Sequence, residues 1–227
     1  MNDKDIAALE TVENLKNYNK YIFTKIFDKD FKERVLDFGC GFGTFCEFIF
    51  KNFNFEIIGY EVNENAKIEL KKKNVQYIDS LRAYNKKFET VVSLNVLEHI
   101  EDDKKAISDI YKLLNDGGKL ILYLPHSMRI WTTLDEDVGH FRRYSKEDLI
   151  KKLKDGGFEI ISCEYVDFIG WLTLLMSKVF KLNLDFNDEK IFFYDKFIFP
   201  TLKYLDIIFK KLTGKNILLV AIKGKKE

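Results

Sequence analysis

The stretch VLDFGCGFG, which runs from Val35 to Gly43, decides the fold of this chain. Its apolar beginning predicts a strand, and three glycines at alternate positions predict a tight turn that opens a helix. Glycine lets the backbone approach a ligand closely because it has no Cβ. The spacing departs from the dinucleotide fingerprint G-x-G-x-x-G, since Thr44 stands in place of the third glycine, and Asp37 would repel a pyrophosphate. We therefore expect a ligand that is cationic or rich in hydrogen-bond donors.

Outward from this stretch, short apolar runs alternate with helix-like segments from Arg34 to Pro125. That pattern is typical of a parallel sheet covered on both faces. Strands are expected at residues 34–39, 55–61, 75–79, 88–95, 119–125, 158–166 and 216–224. The last of these carries six consecutive apolar residues, Ile217 to Ile222, and so should insert into the sheet instead of lying at its edge.

The first four strands each carry a polar residue near the carboxyl end, at the edge where ligands bind in open α/β sheets. These residues, which should converge on one crevice, are Asp37, Glu61, Asp79 and Asn95. Glu61, 22 residues past Gly39, is placed to accept both hydroxyls of a ribose.

Two later segments, residues 107–125 and 147–166, share one design of amphipathic helix, Asp-Gly-Gly and apolar strand. The glycines are expected to cap the helix and turn the chain. Ser145 followed by Asp148 resembles a capping box and should begin the second helix.

The chain is expected to form one domain over residues 1–227, with a helical cover at residues 1–33. Residues 167–215 are too long for a hairpin connection and are interpreted as an aromatic-rich helical insertion, which would cover the core or act as a lid. Pro200 can begin a helix there. The predicted apolar face of that helix comprises Leu202, Leu205, Phe209 and Leu212.

Composition excludes several classes of protein. Lys plus Arg is 37 and Asp plus Glu is 36, a net charge of +1 that disfavours a nucleic-acid binder, and 46% hydrophobic residues exclude a disordered chain. Three cysteines without paired spacing predict neither a disulfide framework nor a zinc ribbon, so a cytoplasmic location is expected. The most apolar stretch, residues 168–176, is too short for a membrane-spanning helix, and the first residues lack the apolar core of a secretory signal.

Five parts of the sequence resemble the motifs of class I S-adenosylmethionine-dependent methyltransferases. They are VLDFGCGFG, Glu61, IDSL at 78–81, SLNVLEHI at 93–100 and LLNDGGKLILYLP at 113–125. The resemblance covers nearly the whole chain. It implies an α/β, Rossmann-like sheet of seven strands in the order 3-2-1-4-5-7-6, with the last strand antiparallel, and S-adenosyl-L-methionine as cofactor. It places cofactor contacts at Asp37, Gly39, Cys40, Gly41, Glu61, Val62, Asp79, Ser80, Asn95 and Val96.

A narrower resemblance involves DEDVGHFRRYSKEDL at 135–149 and ENLKNYNKYIF at 13–23. Both are similar to bacterial methyltransferases often encoded beside glycosyltransferases, which carry a D-x-x-x-G-H-x-R-R-Y signature. In that family an N-terminal helix often closes over the cofactor, as Tyr18 and Tyr21 would here, whereas periodicity alone interprets both as packing residues.

Transfer to a hydroxyl requires a base, and His140 in the signature is the first candidate. The alternative is a histidine that pins its loop through a backbone hydrogen bond. His126 is the second candidate base, and His99 is interpreted as structural or cofactor-side. The substrate-binding residues are expected to be Arg142, Arg143, Tyr144 and His126, with the arginines suited to an anionic acceptor. The alternative is that one of the arginines caps backbone carbonyls or pairs with Asp135, Glu136 or Asp137.

Glu98, His99 and His140 resemble part of the E-x-x-E-H plus distal histidine set of some metal-dependent O-methyltransferases. Asn95 replaces the first glutamate, and hard cations prefer oxygen ligands, so no metal is assigned.

The expected function is methyl transfer to O or N of a small or carrier-linked molecule, such as a sugar, a lipid-linked saccharide or another anionic metabolite. The alternatives are a metal-assisted RNA 2′-O-methyltransferase, which the near-neutral charge disfavours, and a non-catalytic cofactor-binding partner subunit. Lysines beside apolar residues would let 191–213 contact a membrane surface, although packing as an ordinary helix or in a dimer is also open.

Overall fold

Seven strands form a single sheet in the order β3-β2-β1-β4-β5-β7-β6 in the computed structural model of the chain. It describes residues 9–11, 13–29, 31–32, 34–53, 55–81, 84–181 and 188–224. The strands are β1 Val35–Phe38, β2 Ile57–Tyr60, β3 Tyr77–Ile78, β4 Phe88–Leu94, β5 Leu114–Pro125, β6 Phe158–Val166 and β7 Asn216–Lys223. The observed order confirms the sequence prediction.

Helices cover both faces of the sheet. They are α1 Lys16–Phe27, α2 Thr44–Asn52, α3 Glu64–Lys72, α4 Asp103–Leu113, α5 Thr133–Asp137, α6 Lys146–Asp155, α7 Phe168–Phe180, α8 Asp188–Phe193, α9 Phe199–Leu202 and α10 Leu205–Phe209. Single 3₁₀ turns lie at Leu97–His99 and Met128–Ile130, and a π-helical turn at Tyr194–Ile198 joins α8 to α9. Of the helices described, none is long and apolar enough to cross a bilayer.

Strand register explains why the central runs are apolar throughout. β1 pairs in parallel with β2 and β4, and β7 lies antiparallel between β5 and β6. Alternate side chains of a strand point to opposite faces. Leu36 accordingly joins a core with α4 and α6, whereas its neighbour Val35 joins a second core with α1 and α2. Both faces are buried, and β7 is buried along nearly all of its length, as predicted.

The two Asp-Gly-Gly segments differ. In the second, Ser145 Oγ accepts the backbone N–H of Asp148 and α6 begins at Lys146, as expected. In the first, extended pairing begins at Leu114, which pairs with Phe88 ahead of a register shift in β4. The expected turn at Gly117 therefore lies within the first part of β5, although this glycine keeps a left-handed φ of 73°.

The insertion departs from the prediction in one respect. Helix α9 has Pro200 in its first turn, as expected, but the helix is interrupted before α10, and Leu212 is 70% exposed. Asp206 is the buried residue of α10, because its carboxylate accepts the backbone N–H groups of Asp167 and Phe168. Three residues of the predicted apolar face, Leu202, Leu205 and Phe209, are half-buried, and Phe209 stacks on Phe168, so the prediction fails at Leu212.

The insertion is tied to the N-terminal helix. Tyr21 donates its hydroxyl hydrogen bond to Asp206, and the backbone N–H groups of Asn17 and Tyr18 donate to Asp195. These contacts place Tyr21 in the packing between α1 and the insertion, as periodicity indicated. Residues 1–8, 12, 30 and 33 of the expected cover lie outside the described residues.

Candidate active site

The turn after β1 is shaped by three glycines with left-handed backbones. Gly39, Gly41 and Gly43 have φ values of 79°, 53° and 75°. At Gly39 a Cβ would lie 2.5 Å from the Cγ2 atom of Val96, which follows β4. Glycine is therefore required at this position both by its backbone conformation and by the approach of the next loop.

Glu61 joins the glycine turn to the end of β2. Its Oε2 accepts the backbone N–H of Gly41 at 2.8 Å, and its Oε1 accepts the N–H groups of Val62 and Asn63, each at 2.8 Å. A carboxylate has about four acceptor positions, so Glu61 retains capacity for a ligand hydroxyl. The structure thus holds this carboxylate between the glycine turn and the end of β2, and ribose binding by Glu61 stays a prediction.

Asp37 lies beneath the turn and is 2% exposed. Burial raises the pKa of Asp37 to about 7, which the hydrogen bond from Cys46 opposes and the negative charge of Glu61 strengthens. The side chain of Cys40 is turned towards the sheet, since a Cβ on Gly59 would lie 2.4 Å from its Sγ. Cys40 can therefore contact a ligand only through its backbone.

A cavity of about 340 Å³ lies at the end of β3. It is lined by Tyr77, Ile78, Asp79, Ser80 and Tyr84. The predicted residues Asp79 and Ser80 thus share one concave surface, and Val62 is exposed at the end of the neighbouring strand.

Asn95 has a left-handed backbone, with φ of 52°, directly after β4. Its Oδ1 accepts a hydrogen bond from the Nδ2 of Asn216 at 3.1 Å, which links β4 to β7. Asn95 is exposed at the carboxyl edge of the sheet, beside Val96. Both predicted residues lie next to the glycine turn.

His140 is held by a carboxylate instead of by a backbone group. Its Nδ1 lies 2.8 Å from Oδ1 of buried Asp135, which also accepts the Nε hydrogen of Arg143 at 2.7 Å. Burial alone would raise the pKa of Asp135, but the hydrogen bonds from His140 and Arg143 hold it below the usual range. An ionised Asp135 only accepts, so in neutral His140 the proton is on Nδ1 and the lone pair on Nε2.

The arginines of the signature are paired within the protein, and Arg143 also lines the cavity of about 830 Å³ that His126 faces, so substrate binding by these arginines stays a prediction. Arg143 is paired with Asp135, the alternative that the sequence left open. Arg142 instead forms an ion pair with Asp103 at 2.9 Å and donates to the carbonyl of Glu101.

The expectation that Tyr144 binds substrate is wrong. The residue is 1% exposed and its hydroxyl donates to Asp103 at 2.9 Å, so it lies in the core and has no surface for a substrate. Burial, more than the neighbouring charge of Asp103, raises its pKa far above the usual range.

His126 faces a separate, larger cavity of about 830 Å³. The lining includes Ser127, Arg129, Tyr165, Trp171, Leu175 and Leu212, so the insertion forms part of its wall. The Nδ1 atom of His126 lies 2.9 Å from the carbonyl oxygen of Tyr144, and burial lowers its pKa. A neutral His126 therefore donates from Nδ1 and has a lone pair on Nε2.

Glu98 is the functional candidate that sequence reasoning did not assign. The residue is 0% exposed, and burial raises its pKa to about 8. Its Oε1 lies 3.9 Å from Nε2 of His140, and the rings of His99 and His140 meet edge to face. The sequence signal was the partial likeness of Glu98, His99 and His140 to a metal-ligand set, and it gave no indication that the glutamate is buried.

Comparisons with known proteins agree with this geometry. The sequence model of the methyltransferase domain matches residues 11–163. A malonyl-[acyl-carrier protein] O-methyltransferase from Ilyobacter polytropus is 26% identical over 245 residues, covering 97% of this chain and 90% of that protein. A norajmaline N-methyltransferase from Rauvolfia serpentina is 24% identical over 173 residues, covering 70% and 58%. A SAM-dependent methyltransferase structure from Archaeoglobus fulgidus shares the fold, with a TM-score of 0.62, 20% identity, and coverage of 93% and 94%.

Proposed function

The chain belongs to the methyltransferase domain family as a class I S-adenosyl-L-methionine-dependent methyltransferase, and we propose that it methylates oxygen or nitrogen of a small or carrier-linked acceptor. The observation that carries the proposal is the turn of three left-handed glycines whose Gly41 N–H donates to the carboxylate of Glu61 at the end of the neighbouring strand. The two curated relatives are named for an acyl-carrier-linked O-acceptor and for an N-acceptor.

The residues at the crevice fit this cofactor. Glu61 would hold the ribose hydroxyls, Asp79 and Ser80 would line the adenine side, and Asp37 would favour the positive end of the ligand. The cofactor supplies an electrophilic methyl group on a sulfonium. The protein then has to orient an acceptor in line with that methyl and exclude water.

We assign the acceptor base to His140, with His126 as the second candidate. Asp135 fixes the Nδ1 of His140 and leaves Nε2 able to take a proton from an acceptor hydroxyl. His126 is neutral by burial and faces the 830 Å³ cavity, where Arg129 provides a positive charge for an anionic acceptor.

The insertion supports a lipid-linked acceptor. Its described residues include eleven exposed large apolar side chains: Leu172, Met176, Val179, Phe180, Phe192, Phe193, Phe197, Tyr204, Ile207, Ile208 and Leu212. Exposed lysines lie among them, whereas Asp195 and Asp206 are buried. Apolar side chains with a positive border suit an anionic membrane surface, so we extend the proposal to membrane contact through 191–213.

The test is transfer of labelled methyl from S-adenosylmethionine into separated pools of acyl-carrier protein, lipid, saccharide and RNA. We expect label in one carrier-linked or small-molecule pool, and loss of at least about a hundredfold in rate for His140→Ala, in keeping with the usual contribution of a base. His126→Ala is the matched variant, because it removes the imidazole of the second candidate base and leaves His140 in place. Binding of the cofactor without labelled product from any pool would contradict catalytic activity and would favour a non-catalytic partner subunit.

A further inference from the structure

Three side chains that can ligate a metal meet beside the end of β4. One oxygen of Glu98 and one ring nitrogen each of His99 and His140 lie within 4.8 Å of one another. Ligands of one zinc ion lie about 2 Å from it, so they are separated by roughly 3–4 Å. The three ligand atoms are therefore close to the spacing that one ion requires.

Glu98 supplies an independent observation. It is 0% exposed, and neither carboxylate oxygen has a hydrogen-bond partner among the residues that the structure describes. A buried carboxylate without a partner is unfavourable unless a cation or a hydrogen-bond donor compensates for the lost water. The carboxylate faces His140 at 3.9 Å, so the missing partner belongs between these two side chains.

Asp135 gives His140 the support that metal-bound histidines have. A ligating imidazole almost always donates its other N–H to a carboxylate or carbonyl, which fixes the ring and its tautomer. Here the Nδ1 atom of His140 is bonded to Asp135, and Arg143 in turn holds Asp135. Nε2 is thereby directed towards Glu98.

We propose that Glu98, His99 and His140 bind one divalent transition-metal ion of the Zn²⁺ type, with positions left open for water or an acceptor. Two imidazoles and one carboxylate with an open position are a ligand set of catalytic zinc, whereas Mg²⁺ prefers oxygen ligands alone. The nearby amide of Asn95 does not add an oxygen to the set, since its Oδ1 accepts from Asn216. Ion binding requires no methyl acceptor and goes beyond the proposed function; with the ion bound, Nε2 of His140 is a ligand, and the base is His126, the second candidate.

The test is metal binding by the full chain after removal of bound metal with a chelator, without cofactor or acceptor. Zn²⁺ is titrated by calorimetry, and Co²⁺ is followed by its visible absorption. We expect one ion per chain, at least tenfold weaker binding in Glu98→Gln and in His99→Ala, and unchanged binding in His126→Ala. Asp135→Asn should weaken Zn²⁺ about 10–100-fold, the usual effect of removing such a supporting carboxylate.

Circular dichroism of each variant establishes that it is folded before its affinity is compared. If Glu98→Gln does not fold because Glu98 is buried, His99→Ala still tests the site, since His99 is exposed. No stoichiometric Zn²⁺ or Co²⁺ in the wild type, or equal affinity in wild type and His99→Ala, would overturn the site. Either result leaves methyl transfer intact, because labelled transfer in the presence of chelator measures that separately and would then identify His140 as a base.

Discussion

At the scale of the residue, Gly39 and Gly139 show two different reasons why a position requires glycine: the backbone conformation and the space available for a Cβ. Both have left-handed backbones, with φ of 79° and 69°, but a Cβ would meet Val96 at Gly39 and nothing within 4 Å at Gly139. Gly139→Ala should cost about 1–2 kcal/mol for the backbone alone. Gly39→Ala should cost a further ~1–3 kcal/mol for overpacking and should also weaken S-adenosylmethionine binding. Urea unfolding and calorimetry check both, and equal losses in the two variants would refute the close approach.

Asp37 makes stability depend on pH in a stated direction. Its pKa is raised by burial from 3.8 to about 7, so the folded protein retains a proton that the unfolded chain releases. The resulting stabilisation is fully present below about pH 4 and is lost as pH rises through about 7, with a slope of up to roughly 1.4 kcal/mol per pH unit. Asp37→Asn should remove this slope from the free energy of unfolding measured in urea at several pH values. Exposed Asp79→Asn is the control and should keep it.

At the scale of the element, hydrogen bonds from Asn17, Tyr18 and Tyr21 fasten α1 to the insertion, and that of Tyr21 can be removed by a single substitution. Tyr21 donates to buried Asp206, so Tyr21→Phe should lower the free energy of unfolding by about 1.5–3 kcal/mol, the usual effect for a bond to a charged group. The control is Tyr204→Phe, since this ring is exposed. Urea unfolding measures both, and an undiminished free energy for Tyr21→Phe would show that the contact does not stabilise the packing.

Sequence patterns predicted the strands well because burial on both faces leaves a continuous apolar run, as in β7. They did not indicate that Asp206 of α10 points inward, because its partners lie 38 and 39 residues earlier and helical periodicity cannot reveal them. Similarly, Arg142 and Tyr144 stood in a recognisable signature, but both contact Asp103, 41 residues away from Tyr144. Local pattern gives elements and loop positions, whereas long-range partners decide which polar side chains remain free.

At the scale of the whole molecule, the apolar surface of the insertion predicts membrane association. The double variant Ile207→Ser and Ile208→Ser removes two exposed apolar residues and should reduce co-sedimentation with anionic vesicles severalfold. Phe50→Ser is the matched control, because Phe50 is even more exposed than Ile207 and Ile208 but lies on α2. Neutral vesicles should bind less than anionic ones. If the wild-type protein stays in the supernatant with both anionic and neutral vesicles, the proposed membrane contact is excluded.

The central claim is that the crevice formed by the glycine turn and Glu61 holds S-adenosylmethionine, and calorimetry of the purified chain tests it most directly. We predict binding of S-adenosylmethionine and S-adenosylhomocysteine, no binding of NAD, and at least tenfold weaker binding by a folded Glu61→Ala variant, which loses the acceptor for the ribose hydroxyls. Heat with NAD and none with the two adenosyl ligands would contradict the account.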